Sequence, residues 1–465
     1  LVKPVADAFE RAYGAAVVGA RPPDPRLLAR EAAEGRSRSM PDEPFALRGC
    51  ILTPDEALED GVVVVEGGTI AEVRTTVPDG VRVTDTAGVV LPGLIDLHGH
   101  PEYNVFSPWE PPGLYASRYQ WRQSEEYAVV VKEPWRLLTA ATADQPSLLG
   151  TMTRYAEARA LVGGSTAIQG AGAAAPDPHE SLVRNVDGFI FGEQRARSVV
   201  DLDRLGPDQL AVLHQGLASG AVRALYVHLA EGTDDASRTE LATLVQMGLL
   251  TAATVVIHGT ALTGEQWGTV AEAGAKLVWS PQSNLRLYGR TTLVSEALAR
   301  GVPVALGADW LPSGSPSLLD ELKVARRLLQ QQGAPVDARR LVGMVTSGAA
   351  GIAGLDNQLG RLRPGVPADL LVLQRHHDDP WESVLQSDRR SVELVALGGD
   401  IAFGRRDWVE DLAGPADQEA ISAWGKRMAL DLAYSVVASP SPPPRLADLR
   451  ALLLGRYKQT GPIFA

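Results

Sequence analysis

The sequence predicts an α/β protein: a (β/α)8, TIM-like barrel with a small β-sandwich built from the segments on either side of it. Three observations lead there. Between about residues 91 and 354, short apolar runs alternate with helix-length stretches, the pattern of βα units and a parallel sheet. Segments of β character stand both before and after that region. Four of the eight histidines close apolar runs, at the end of a barrel strand where active sites are built.

Taken in order, residues 1–43 are rich in Ala, Arg and Pro, with Pro22-Pro23-Asp24-Pro25 breaking two short helical stretches. An appended arm or helix pair is expected there. Residues 44–92 turn to β character, and 61–73 read as a hairpin around Gly67-Gly68. Residues 93–354 form the expected barrel, with candidate strands at 94–97, 166–169, 224–227, 254–257, 276–279 and 302–306. Stretches such as 238–247 and 291–299 have the length of crossover helices. Residues 355–405 return to β character and are expected to join 44–92 in the sandwich. Residues 406–465 are expected to be a helical tail: an amphipathic helix over 415–437, a Pro-rich linker at 439–444 and a short final helix.

Composition narrows the function. Hydrophobic residues make up 45% and charged residues 22% of the 465, as in a globular protein with a real core. The net charge of -12 argues against nucleic-acid or anionic-membrane surfaces, which need clustered Lys and Arg. No apolar run approaches the roughly 20 residues that span a bilayer. Asp7, Glu10 and Arg11 spoil the first apolar stretch as a signal peptide, so a cytoplasmic protein is expected. A single cysteine, Cys50, permits neither an intrachain disulfide nor a cysteine metal cage; it reads as a small buried hydrophobe.

His98 and His100 close the run Gly93-Leu94-Ile95-Asp96-Leu97. Residues two apart on a strand share a face, so both imidazoles point inward, with Gly99 between them adding no bulk. Two neutral imidazoles on one face are half of a zinc or iron site, although alone they would equally suit core histidines. His228 ends Ala224-Leu225-Tyr226-Val227, with Glu231 three residues on. His258 ends Thr254-Val255-Val256-Ile257, and Asp309 follows Val304-Ala305-Leu306-Gly307-Ala308. Ionisable groups gathered at one barrel mouth cost kilocalories each unless a cation or substrate balances them. His179, His214, His376 and His377 lack strand-end placement and receive no role.

Together these segments resemble the amidohydrolase superfamily, and within it the deaminase/chlorohydrolase branch of guanine deaminase-like and imidazolonepropionase-like enzymes. The likeness lies in Leu91-Pro92-Gly93-Leu94-Ile95-Asp96-Leu97-His98-Gly99-His100, His228-Leu229-Ala230-Glu231, Ile257-His258-Gly259, Ser280-Pro281-Gln282-Ser283-Asn284, Gly307-Ala308-Asp309 and Gly365-Val366-Pro367-Ala368-Asp369-Leu370. It spans roughly residues 45–405. The resemblance implies that His98, His100, His228 and Asp309 bind a divalent metal. Glu231 would be the proton shuttle, and His258 would hydrogen-bond substrate or the attacking hydroxide. Asp309 would also accept a proton from the nucleophilic water, and Ser283 and Asn284 would orient loops or Asp309.

Two-metal members bridge their ions with a carboxylated lysine or a glutamate. No lysine lies between Lys132 and Lys276, so one ion is expected, Zn2+ first with Fe2+ as the alternative. The expected reaction is metal-dependent hydrolysis of a non-peptide C–N bond, in a cyclic amide or an amino-heterocycle or amidine. The competing reading is a catalytically idle barrel that binds a small molecule. The segments after the first and last barrel strands depart from familiar deaminases and offer Tyr103, Asn104, Trp109 and Trp310 as pocket residues, with Arg286 for an anionic group. Asp369 is expected to be structural. The expected partner is a small-molecule substrate, with neither nucleic acid nor membrane and with a homodimer left open.

Overall fold

The computed structural model describes residues 41, 43–142, 144–170, 181–188, 190–334, 336–413, 418–432 and 445–464. The expected N-terminal arm over 1–43 therefore lies almost wholly outside the described residues, as do the linker at 439–444 and His179.

Four strands open the described chain: β1 (Phe45–Leu52), β2 (Ala57–Glu66), β3 (Thr69–Arg74) and β4 (Arg82–Pro92). The β2–β3 turn places Gly67 and Gly68 at φ 56° and 84°. That left-handed pair matches the twist of a two-residue hairpin and is open to glycine at little steric cost. Eight short parallel strands follow: β5 (Leu94–Asp96), β6 (Ser165–Ile168), β7 (Arg184–Asn185), β8 (Ala196–Val199), β9 (Ala224–Leu229), β10 (Thr254–His258), β11 (Lys276–Trp279) and β12 (Val304–Leu306). They pair in sequence order as two sheets, β5-β6-β7 and β8-β9-β10-β11-β12. A parallel bridge between Gly99 and Asp309 joins the ends of the first and last strands. The arrangement is TIM-barrel-like, with its hydrogen bonds divided between two sheets where the sequence suggested one closed barrel.

Six of these strands overlap the runs expected from apolar patterning. β7 and β8 do not, because Arg184-Asn185 and Ala196-Arg197-Ser198-Val199 are too short and polar to signal. Amphipathic helices cover the strands. In Leu318–Gln331 the residues Leu318, Leu319, Leu322, Ala325, Leu328 and Leu329 are buried at helical spacing, and Ser317 caps the start by accepting from the Asp320 N–H.

The chain then returns through β13 (Leu370–Leu373), β14 (Val392–Leu397), β15 (Asp400–Arg405), β16 (Glu419–Ala423) and β17 (Lys426–Leu430). These join the first four in one nine-stranded sheet, ordered β16-β17-β15-β14-β13-β4-β1-β2-β3. The N- and C-terminal segments do meet in one flanking unit, at β4 against β13. It is hydrogen-bonded as a single continuous sheet, where a two-sheet sandwich was expected. Asp369 ties this unit to the barrel. Its carboxylate accepts from Arg184 Nε and Nη2 at 2.6 and 2.7 Å, and its carbonyl accepts from Gly93 N at 3.0 Å.

One expectation in the tail is overturned. Within 415–437 the described residues form the β16–β17 hairpin, not an amphipathic helix. Trp424 and Gly425 hold φ values of 48° and 80°, a turn that reverses the chain and lets both strands extend the flanking sheet. A final helix does follow, at Leu446–Arg456. Among the described residues, no helix is long and apolar enough to cross a membrane. Cys50 is buried, and burial pushes its thiol up to about 11.

Candidate metal and acid–base centre

The polar groups singled out in the sequence converge where β5, β9, β10 and β12 end. The side chains of His98 and Asp309 are 1% and 5% exposed, whereas His100 is 29% exposed and faces the opening. Asp96 folds the first of these ends: one carboxylate oxygen accepts from the N–H groups of His98 and Ala308, at 3.2 and 3.1 Å. Gly307 is required for this approach. A Cβ there would stand 2.4 Å from the His98 Cβ. The site also concentrates backbone strain. Ala230, His258 and Asp309 adopt φ of 52°, 67° and 60°, a region non-glycine residues seldom enter outside constrained functional positions.

His98 and His100 each bring Nε2 to one oxygen of Asp309, at 3.5 and 3.6 Å. The His98 Nε2 also lies 3.1 Å from the Nε2 of His228. The far nitrogen of His98 is held by Ser280 Oγ at 2.8 Å. The second oxygen of Asp309 accepts from Ser283 Oγ at 2.6 Å, and Ser283 in turn meets Ser313 Oγ at 2.7 Å. Burial holds His98 and His228 well below the usual imidazole range and His100 at about 4, so all three stay neutral. Burial, reinforced by the charge of Glu231, pushes Asp309 well above the usual carboxylate range.

These residues suit a divalent cation. Two neutral ring nitrogens 3.1 Å apart and a buried carboxylate whose ion-pair contacts are both imidazoles are satisfied together by one positive charge. Three nitrogens and a carboxylate oxygen form a donor set for zinc or iron(II).

His258 lies within ligand distance of His98 and His228, but its hydrogen bonds argue for a different role. The indole N–H of Trp279 donates to Thr291 Oγ1 at 2.7 Å, so that hydroxyl turns its own proton to Asn284 Oδ1 at 3.3 Å. The Asn284 amide nitrogen therefore faces His258 Nδ1, at 3.0 Å, and donates to it. This leaves the His258 proton on Nε2, a donor that cannot also be a ligand. That Nε2 faces the second carboxylate oxygen of Glu231 at 3.7 Å. Burial lowers His258 to about 3 and raises Glu231, the latter opposed by the charge of Arg118.

The pocket candidates divide. Tyr103 and Trp310 meet edge to face at 5.4 Å, and the Tyr103 ring is 6.4 Å from that of His100. Trp109 belongs to the same aromatic wall, together with Trp121 and Tyr127. Asn104 and Arg286 act as ties between loops. Asn104 Oδ1 accepts from Leu311 N at 2.7 Å. Arg286 Nη1 donates to the Pro312 carbonyl at 3.1 Å, and the same carbonyl accepts from Trp109 N at 2.7 Å.

Sequence reading missed Ser280, Ser313, Tyr288, Trp121, Tyr127 and the buried cation Arg118, which is held by Asp201 and Glu240. The only signal for the aromatic pair is the density of Trp and Tyr between residues 103 and 135. The hydroxyl partners have no spacing signature.

A model described as the amidohydrolase family matches residues 216–402. The 5-methylthioadenosine/S-adenosylhomocysteine deaminase of Halobacterium salinarum is 27% identical over 396 residues, covering 78% of this chain and 90% of that protein. The guanine deaminase of Escherichia coli is 23% identical over 389 residues, 73% of this chain and 86% of that one. Among solved structures, the atrazine chlorohydrolase of Arthrobacter aurescens complexed with zinc superposes with a TM-score of 0.60 at 18% identity. It covers 77% of this chain and 94% of its own.

Proposed function

We propose, on the premise that the chain belongs to the amidohydrolase superfamily, that it is a metal-dependent deaminase that hydrolyses the exocyclic C–N bond of an aminopurine or similar amino-heterocycle. The observation that carries this reading is the division of labour at the strand ends. His98, His100, His228 and Asp309 converge as a donor set, while Glu231 and His258 are turned towards each other by partners of their own. The relatives, which are named deaminases, favour deamination over opening of a cyclic amide.

A single divalent ion held by His98, His100, His228 and Asp309, zinc by preference, would lower the pKa of bound water towards neutrality. Glu231, whose carboxyl burial raises against the opposing charge of Arg118, can pass a proton to a ring nitrogen and then to the departing amine. Asp309, oriented by Ser283 through one carboxylate oxygen, can accept the nucleophile's proton. His258 donates from Nε2 to the oxygen on which negative charge develops. Tyr103, Trp109 and Trp310 supply flat apolar faces against which a heteroaromatic ring can stack.

The test combines elemental analysis of the purified protein with ammonia release from guanine, 5′-methylthioadenosine and S-adenosylhomocysteine, with hydantoin and lactams run alongside. About one tightly held ion per chain and ammonia from at least one aminopurine are expected. Ring opening of a cyclic amide without ammonia would replace this reading with the amidase one. Binding without turnover on metal-replete protein would favour a catalytically idle barrel.

A further inference from the structure

Glu231 has two oxygens with different surroundings. One faces His258; the other, Oε1, accepts from the hydroxyl of Tyr288 at 2.6 Å. Tyr288 is the last residue of the helix Pro281–Tyr288, and Gly289 closes that helix in the left-handed region. The phenol oxygen is also 2.8 Å from the indole nitrogen of Trp121. An indole N–H can only donate and a phenol carries one proton. The direction of the chain is therefore fixed: Trp121 donates to Tyr288, and Tyr288 donates to Glu231.

The segment that carries Trp121 is docked on both elements this chain connects. Arg118 N donates to the Glu231 carbonyl at 3.1 Å, Ser117 bridges to Gly232, and Tyr115 N donates to the Leu287 carbonyl at 2.8 Å. Residues 115–121 thus span the Glu231 loop and the helix end that bears Tyr288.

We propose that Tyr288 is a positioning residue for the acid–base carboxylate. It keeps Oε1 of Glu231 an acceptor, so that the travelling proton resides on the oxygen turned towards His258. Trp121 makes this arrangement depend on docking of residues 115–121. The inference rests on the reading of Glu231 as the proton carrier. The phenol fixes the carboxyl plane as well as the site of its proton, and a misplacement of about 1 Å can cost roughly 10²-fold in rate. Nothing in packing alone requires the hydroxyl, since a phenylalanine would fill the same space.

The test uses the full-length, metal-replete protein with 15N-labelled tryptophan, the indole resonance of Trp121 being assigned by its loss in Trp121→Phe. That resonance should move upfield in Tyr288→Phe, and it should also shift in Glu231→Gln, because a hydrogen-bonded chain transmits a change at its far end. With whichever aminopurine of the panel is turned over, Tyr288→Phe should lower kcat about 10²-fold with KM little changed, and should add nothing further in the Glu231→Gln background. An indole signal unmoved by Glu231→Gln, or a normal kcat in Tyr288→Phe, overturns the proposal and leaves Tyr288 a packing residue. If no aminopurine is turned over, the deaminase reading fails by itself, and the indole signal still decides the positioning role.

Discussion

Glu231 and His258 face each other across 3.7 Å at the strand ends. Each side chain has one polar atom held by a fixed partner, Tyr288 for Glu231 and Asn284 for His258, and the other turned to the shared space between them. Glu231→Gln keeps the shape but cannot carry a proton. Its metal content should equal that of the parent, while kcat falls by about two to four orders of magnitude, the usual worth of a positioned general acid or base. Elemental analysis beside steady-state kinetics checks both halves, and near-normal turnover would remove Glu231 from the mechanism. The strand-end residues were legible in sequence because each closes an apolar run, which names a place as well as a residue type. Ser280, Ser313 and Tyr288 were not, because a hydroxyl that meets its partner across the barrel leaves no periodicity.

One helix, Pro281–Tyr288, holds three of the side chains gathered at the strand ends. Ser283 binds Asp309, Asn284 binds His258 and Tyr288 binds Glu231. The sequence marked Ser283 and Asn284 as orienting residues, but it could not reveal that the helix end five residues on reaches a third strand's loop. The opposite case is the tail, where residues read at helical spacing form a hairpin. There the Trp424-Gly425 turn and an available sheet edge prevail over local propensity. A strand-end glycine tests how tightly such elements constrain the site. In Gly307→Ala the new Cβ would lie 2.4 Å from the His98 Cβ and 2.7 Å from its backbone nitrogen. The conflict cannot be relieved by a flexible side-chain tip. A loss of about 1–3 kcal/mol, the usual cost of overpacking, is expected, together with weaker metal retention. Thermal melts and metal analysis of the variant measure both, and unchanged values would show that β12 does not set the position of His98.

At the scale of the whole molecule, a bound ion would link the first and last barrel strands through residues that are far apart in sequence, His98 and Asp309, and join β9 to them through His228. Ligand that binds only the folded state stabilises it by RT ln(1 + [L]/Kd), about 2.7 kcal/mol at a hundredfold excess over Kd. Chelation should therefore lower the melting temperature by a few degrees in a chain of this size, and zinc should restore it in a concentration-dependent way. The chelated protein should also respond to acid. His98, His100, His228 and His258 are all held below the ordinary imidazole value of 6.5, His100 to about 4 and His258 to about 3. Below pH 6.5 the unfolded chain then binds protons that the folded chain refuses. Stability present above pH 6.5 is lost as pH falls towards 4, with the slope set by the difference in bound protons. The raised carboxyls of Asp309 and Glu231 act in the opposite sense, losing stability as pH rises. Bound metal should shield the ligand histidines from protons until it dissociates. Melts from pH 7.5 to 4.5, with and without chelator, should therefore diverge most near the upper end of that range and converge in acid. Parallel curves across the range would show that His98, His100 and His228 do not act as a metal-coupled group.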